Sequence, residues 1–302
     1  IAKLIIEGRY AFPYLPEGIY AEIRNASNMR FQVEAELIRN KNRIQRWFAI
    51  YFPEYTEVYG SFDAISSIMI LRQAALPCDI ISLGIEKINQ IWREAKLRAV
   101  GKKRAQTLVE AAKRSIGHTE GLDTARMEMS LLLEDYDRLQ NRLKQITELL
   151  EKLVRQVPYA EKLLQIKGIG MKTVSGFIAE VGDISRFNDA KQIQKLAGQA
   201  IVENSSGKHN GKSRISKRGR KRLRYLLFEA ALSLTATNPE FREIHRYYTS
   251  RETNPLKKKQ SLTVLSNKLI RVFYTILKHG TDYDPNKLTS DIRHPEKVSE
   301  AA

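Results

Sequence analysis

A mainly α-helical protein is what this 302-residue sequence predicts, from three observations. Apolar residues recur at three- and four-residue steps over long spans, as one buried helix face requires. Prolines leave two uninterrupted stretches, Cys78 to Val157 and Tyr159 to Asn238, in which long helices can run. Runs of alternating β-branched residues, the mark of half-buried strands, are sparse throughout.

The elements follow in order. Between Ile19 and Phe52, Ile23, Ala26, Phe31, Ala35, Leu37, Ile38, Ile44, Phe48 and Tyr51 predict one amphipathic helix, stopped by Pro53. Phe62 to Ile116 reads as several short helices with turns at Pro77, Gly84, Gly101 and Gly117. From Asp123 to Val157 the apolar seam Leu132, Tyr136, Leu139, Leu143, Ile146, Leu150, Leu153 and Val157 predicts a coiled coil. Such a seam needs a covering helix, either in an internal hairpin or in a second chain; the alternative is an amphipathic helix packed on its own domain. A single helix with this seam would leave Leu139, Leu143, Ile146 and Leu150 exposed, so the chain is expected to form a homo-oligomer through this segment.

After Pro158, the stretch LLQIKGIGMKTVSGF predicts a helix-hairpin-helix. Gly168 and Gly170 permit a tight hairpin around Ile169, and the backbone N–H groups that open the next helix face a phosphate. Lys167 and Lys172 add charge, and a hairpin of this kind grips backbone without reading bases. A short helix follows from Asn188 to Gly198. Arg220 to Thr235 then reads as a core helix through Leu223, Leu226, Leu227, Ala230, Ala231 and Leu234, and Leu262 to Leu277 as a further amphipathic one. The end is polar and frays. The resulting division is 1–117, a coiled coil over 118–157, a domain over 158–288, and a polar tail over 289–302.

Charge points to the partner. Lys and Arg number 51 against 34 Asp and Glu, a formal net charge of +17, and such an excess favours nucleic acid. It concentrates in SSGKHNGKSRISKRGRKRLR, where Lys208, Lys212, Arg214, Lys217, Arg218, Arg220, Lys221, Arg222 and Arg224 meet no acidic residue before Glu229. A solvated basic loop leading into an exposed helix face is the plainer reading of the run. Ser205 and Ser206 open the segment, so a candidate nucleophile stands where polyanions collect.

Other chemistry is thinly supported. No apolar run approaches the roughly 18 residues of a membrane span, and no signal peptide opens the chain, so a cytoplasmic protein with no membrane partner is expected. Cys78 is the single cysteine, which excludes an internal disulfide and a cysteine-based zinc site. The five histidines, His118, His209, His245, His279 and His294, lack ligand spacing, and no metal site or cofactor is expected in this chain.

The order LLQIKGIGMKTVSGFIAEVGDISRF, then KLAG, then SSG, then ISKRGRKRLRYLLFEAA resembles the C-terminal domain of the insertion-sequence-110 transposases, recombinases of mobile elements that carry a bridge RNA. Upstream, IAKLIIEGRY and LIRNKNRIQRWFAIYFPEY are similar to the latter part of the same proteins. The resemblance implies a helical remainder of a RuvC-like domain, a coiled coil, and a helical transposase domain. It further implies DNA and bridge RNA as partners, and a serine nucleophile that the SG pair aligns on Ser206, with Ser205 as the rival. Such a serine forms a covalent phosphoserine that stores bond energy for rejoining. The family's acidic, Mg2+-binding residues fall before the position of Ile1. The expectation is therefore an N-terminally incomplete, inactive copy, with Mg2+ serving the complete enzyme only. Two local departures stand out: Lys167 replaces a usual proline, and Gly198-Gln199-Ala200-Ile201 replaces the family's GLAP. The alternatives are a non-catalytic helix-hairpin-helix DNA-binding module dimerised by its coiled coil and, more remotely, a base-excision glycosylase using Asp183.

Overall fold

Residues Gly18–Tyr51 form one helix, as the periodicity predicts, and a short Ala2–Ile6 helix (α1) precedes this α2. The computed structural model describes residues 2–8, 13–206 and 209–293. Helices α3 (Tyr55–Tyr59), α4 (Ile65–Leu71), α5 (Pro77–Glu94) and α6 (Lys102–Lys113) follow, and α7 runs over Leu122–Val154. The expected turn at Gly84 is a kink inside α5, where its φ of 73° breaks the helical path. Beyond lie α8 (Ala160–Leu164), α9 (Met171–Val181), a 3-10 turn over Ile184–Arg186 and α10 (Ala190–Leu196). Strands β1 (Ile201–Ser206) and β2 (His209–Ile215) come next, then α11 (Lys221–Thr237), α12 (Pro239–Ser250), α13 (Lys258–His279) and α14 (Pro285–Arg293).

Contacts divide the chain into two compact units, residues 30–145 and residues 1–29 with 146–302, so α2 and α7 each contribute a segment to both. These units do not follow the division at 117 and 157. That division tracked prolines and glycines, whereas long helices carry contacts past such marks.

In the unit of residues 30–145, α2 and α7 pack antiparallel through side-chain bonds to backbone. Asn40 Nδ2 donates to Leu132 O at 3.2 Å and Trp47 Nε1 to Ala125 O at 3.0 Å. Leu37, Ile44, Trp47 and Phe48 of α2 share a core with Met129, Leu132, Leu133, Tyr136 and Leu139 of α7. The Phe48 and Tyr55 rings stack at 4.6 Å, and Trp92 Nε1 donates to Ser66 O at 2.9 Å. The α2 C-terminus is closed where His118 N donates to Ile50 O at 2.8 Å.

The α7 seam is therefore covered, and the expectation that it lies open is corrected. Leu139, Ile146 and Leu150 are buried, and Leu143 packs against the core of residues 30–145. Periodicity announces a covered face but does not identify the covering helix. The argument for a homo-oligomer through this segment is removed with it.

In the other unit α13 is the central helix, burying Leu265, Leu269, Ile270 and Phe273. Phe177 of α9 meets Phe273 edge to face at 5.0 Å. α11 buries Leu223, Leu227, Ala230, Ala231 and Leu234, all but one of its predicted core positions; Leu226 is half-buried against Gly176. The expected polar tail at 289–302 is also corrected. Its first residues belong to α14, where Thr289 is fully buried and its Oγ1 donates to Pro285 O at 3.2 Å, a bond that a composition-based reading does not reveal.

Candidate nucleic-acid interface

The basic segment is extended in its first part, and residues 216–220, with the exposed Lys217 and Arg218, form the connection that leads into α11. Residues 201–215 fold back as an antiparallel strand pair in the register Ile201↔Ile215, Val202↔Arg214, Asn204↔Gly211, Ser205↔Asn210 and Ser206↔His209, with a bulge between Val202 and Asn204. Ser206 thus ends β1, at the far end of the pair from its base, and Ser205 is the residue before it. Lys212 lies on β2, and Lys208 lies outside the described residues.

Hydrogen bonds root the base of the pair. Ser216 N donates to Ala200 O at 2.8 Å, Lys217 N to Gly198 O at 2.9 Å and Arg220 N to Leu196 O at 2.7 Å. Gly198 has φ 68° and Gly219 φ 152°. A Cβ on Gly198 would lie 2.8 Å from Arg224 Nη1 and 2.9 Å from Lys217 C, so glycine is required for both torsion and approach. The departure GQAI is accommodated here: Gln199 is buried, and its N donates to Gln194 O at 2.9 Å.

The structure sorts the basic run into two groups. Arg224 Nη1 donates to Ala197 O at 3.0 Å and to Lys217 O at 3.3 Å, tying α11 to the base. Arg220 pairs with Glu180 at 3.3 Å, and Arg222 donates to Asn28 Oδ1 at 2.5 Å. These three arginines are half-buried and hold the domain together, whereas Arg214, Lys217, Arg218 and Lys221 are exposed. Nothing in the spacing of the run separates the groups.

The second sequence feature, the hairpin after α8, is also built into this unit. Gly168 takes φ 97°, and Gly170 is the extended N-cap of α9, which no side chain caps. Ile166 and Ile169 are buried beneath the turn, while Lys167 and Lys172 are exposed. Asn238 caps α12 through its Oδ1, and its Nδ2 donates to Lys167 O at 3.3 Å, fastening the hairpin to the end of α11. A Cβ on Gly168 would stand 2.2 Å from Thr237 Oγ1.

Asp183 is a structural cap. It accepts from Ser185 N at 2.8 Å and from Ser185 Oγ at 2.6 Å, and its own N donates to Tyr14 Oη at 3.3 Å. Burial, then the nearby Asp183 charge, raises the Tyr20 hydroxyl pKa, and burial lowers that of Arg186, whose guanidinium lies 3.6 Å from the centre of the Tyr14 ring. With both oxygens engaged in the turn, Asp183 is no free base, and the glycosylase alternative loses its residue. Among the described residues no group of three or more His, Cys, Asp or Glu side chains could hold a metal ion. No helix among them is long and apolar enough to cross a membrane.

This helical unit thus carries a strand pair whose first strand ends at Ser206, exposed cations at the base of that pair, and a glycine hairpin before α9. Residues 160–246, from α8 into α12, match the transposase family IS116/IS110/IS902. An uncharacterized 44.8 kDa protein of insertion element IS116 from Streptomyces clavuligerus is 23% identical over 270 residues, 89% of this chain and 67% of that protein. An uncharacterized 42 kDa protein of IS900 from Mycobacterium paratuberculosis is 24% identical over 91% of the chain and 68% of its own length. The pilin gene-inverting protein of Moraxella bovis is 30% identical over 127 residues, 41% of this chain and 38% of that protein. The chain spans about two thirds of the length of these insertion-element relatives. Over residues 160–246 the chain is thus similar to the IS116/IS110/IS902 transposases.

Proposed function

We propose that this chain acts in DNA transposition by breaking and rejoining strands, with Ser206 as the nucleophile. The observation that carries the reading is the strand pair itself, which sets Ser206 at the end of β1 above a base bearing the exposed Arg214, Lys217, Arg218 and Lys221. The match of residues 160–246 to a transposase family and the resemblance to a protein named as a gene inverter support strand exchange as the class of reaction.

The Ser206 oxygen attacks a DNA phosphorus. A P–O bond to the serine forms as the bond to one bridging oxygen breaks, the serine proton leaves to a base, and the departing oxygen takes up a proton. The phosphoserine keeps the bond energy, and a hydroxyl of another strand reverses the step, restoring the serine. Exposed cations at the base of the strand pair hold the flanking DNA backbone. The hairpin at 166–173 acts as a helix-hairpin-helix and holds a second stretch of backbone through the α9 amides and Lys167. The resemblance adds a bridge RNA as a further polyanionic partner. The described residues do not fit the Mg2+ site that the family implies, and no step here runs through a metal.

The test is a covalent DNA–protein adduct, trapped in a recombination reaction assembled with element-end DNA and guide RNA. Ser206→Ala is expected to abolish the adduct and Ser205→Ala to retain most of it. An adduct that survives Ser206→Ala overturns the assignment. A non-catalytic DNA-binding module, the other reading, would lose nothing from either substitution.

A further inference from the structure

Two connections in this chain carry one pattern. Ile166-Lys167-Gly168-Ile169-Gly170-Met171-Lys172-Thr173-Val174 aligns residue for residue with Leu97-Arg98-Ala99-Val100-Gly101-Lys102-Lys103-Arg104-Ala105, in the unit of residues 30–145. The likeness extends into three dimensions. Gly170 and Gly101 are both extended N-caps without a side-chain cap, opening α9 and α6. Ile169 and Val100 are 6% and 8% exposed just before them. The helices then bury matching positions, Val174 with Ala105, Phe177 with Leu108, and Ile178 with Val109. At the matched cation positions Lys167 and Arg98 are exposed, as are Lys172 and Lys103. The approach differs, because the left-handed residue is Gly168 in one connection and Lys96, with φ 56°, in the other.

The second connection also borders a cavity. Arg98, Lys102, Lys103 and Arg104 line an open cleft of about 610 Å³ with Val58 and Glu57. Glu57 is neutralised by an ion pair with Arg114. Lys102 reaches Glu86 at 2.8 Å, and Arg104 donates to Val58 O at 2.6 Å while lying 5.1 Å from the centre of the Tyr59 ring. Arg98 and Lys103 have no acidic partner among the described residues. A cleft with surplus positive charge and uncapped amides at its edge suits a polyanion whose charges are regularly spaced.

We propose that residues 97–104 form a second phosphate grip, which holds a nucleic-acid duplex by its phosphodiester backbone. The site lies apart in sequence from the serine and the first hairpin. It gives the unit of residues 30–145 a substrate contact of its own. Contact is to backbone and is sequence-independent, since the cleft offers cations and amides and no array for reading base edges.

Binding by the full chain to a short labelled DNA duplex, and to an RNA duplex of the same sequence, tests this by anisotropy across a salt series. R98A with K103A is expected to weaken binding roughly three- to tenfold and to lower the slope of log K against log salt by about 1.8, at about 0.9 for each lost phosphate contact. K87A with K144A, which removes the same charge from exposed positions outside the cleft lining, is expected to change neither. A loss seen with only one duplex identifies which backbone the cleft takes. Affinity and slope equal to the parent's with both duplexes overturn the proposal, as does an equal loss in the control pair. Should the alanine pair lower the melting temperature, R98Q with K103Q replaces it under the same criteria. The grip is read by duplex binding and the serine chemistry by the covalent adduct, so the two fail or stand separately.

Discussion

Gly219 crosses Gly198 backbone to backbone: a Cβ on Gly219 would lie 2.6 Å from Gly198 N and 2.4 Å from Leu196 O. The chain entering the serine strands and the chain leaving them pass each other at this point. Gly219→Ala is expected to destabilise the fold by about 2–4 kcal/mol, since backbone atoms rather than a pliable side chain must give way and the φ of 152° is itself unfavourable for alanine. A thermal melt reads this directly, and a melting temperature equal to the parent's would refute the crossing.

The two groups in the basic run should respond differently. Replacing Lys217, Arg218 and Lys221 with alanine is expected to weaken DNA binding for all sequences and to reduce the salt slope by about 2.7, with stability unchanged within about 0.5 kcal/mol. Arg224→Ala is expected to cost about 1–3 kcal/mol, because the Ala197 and Lys217 carbonyls lose their donor. Titration with labelled duplex and chemical denaturation separate the outcomes.

Leu139 is 4% exposed in the core shared by α2 and α7. Leu139→Glu is expected to unfold the unit of residues 30–145, at a cost of about 3–5 kcal/mol for an unpaired buried charge. Circular dichroism and sedimentation together decide this. A folded variant that merely changes from dimer to monomer would restore the intermolecular coiled coil.

Glu54 ties α3 to the segment after α6. Burial would raise its carboxyl pKa, but hydrogen bonds from Ser115 Oγ at 2.7 Å and Ile116 N at 3.0 Å outweigh it and, with Arg114 nearby, hold it below the usual value. A depressed folded-state pKa adds stability above the unfolded pKa and loses it as pH falls through the folded one. Glu54→Gln is therefore expected to cost about 1–2 kcal/mol at neutral pH and to converge on the parent in acid, as pH falls below the ordinary carboxylate range and through the lowered pKa. Denaturant midpoints at the two pH values measure the gap, which must close and not widen.

The legible parts of the fold were those with a buried periodic face. The bounds of α2 follow from Pro53 and the Ile23-to-Tyr51 stripe, and α7 from its seam. The hairpin at 166–170 shows through its glycines. The strands at 201–215 did not show, because Ile201 is 73% exposed and Val202 47%, so no apolar alternation marks a covered face. The extended form of this segment rests on cross-strand pairing and the Gly198–Gly219 crossing, both non-local. The likeness between residues 97–105 and 166–174 is hidden for a simpler reason: Ala99 stands at the position of the first glycine. The division of the arginines into structural and exposed is invisible in a run where every position carries the same charge.

The crossing at Gly198 and Gly219 makes the serine arm adjustable. An extended strand advances about 3.3 Å per residue, so deleting two residues from each strand would draw Ser206 in by about 7 Å while keeping side chains on their original faces. The distance from this crossing to Ser206 is thus a dimension that evolution, or an engineer, can retune in small steps without renegotiating the fold.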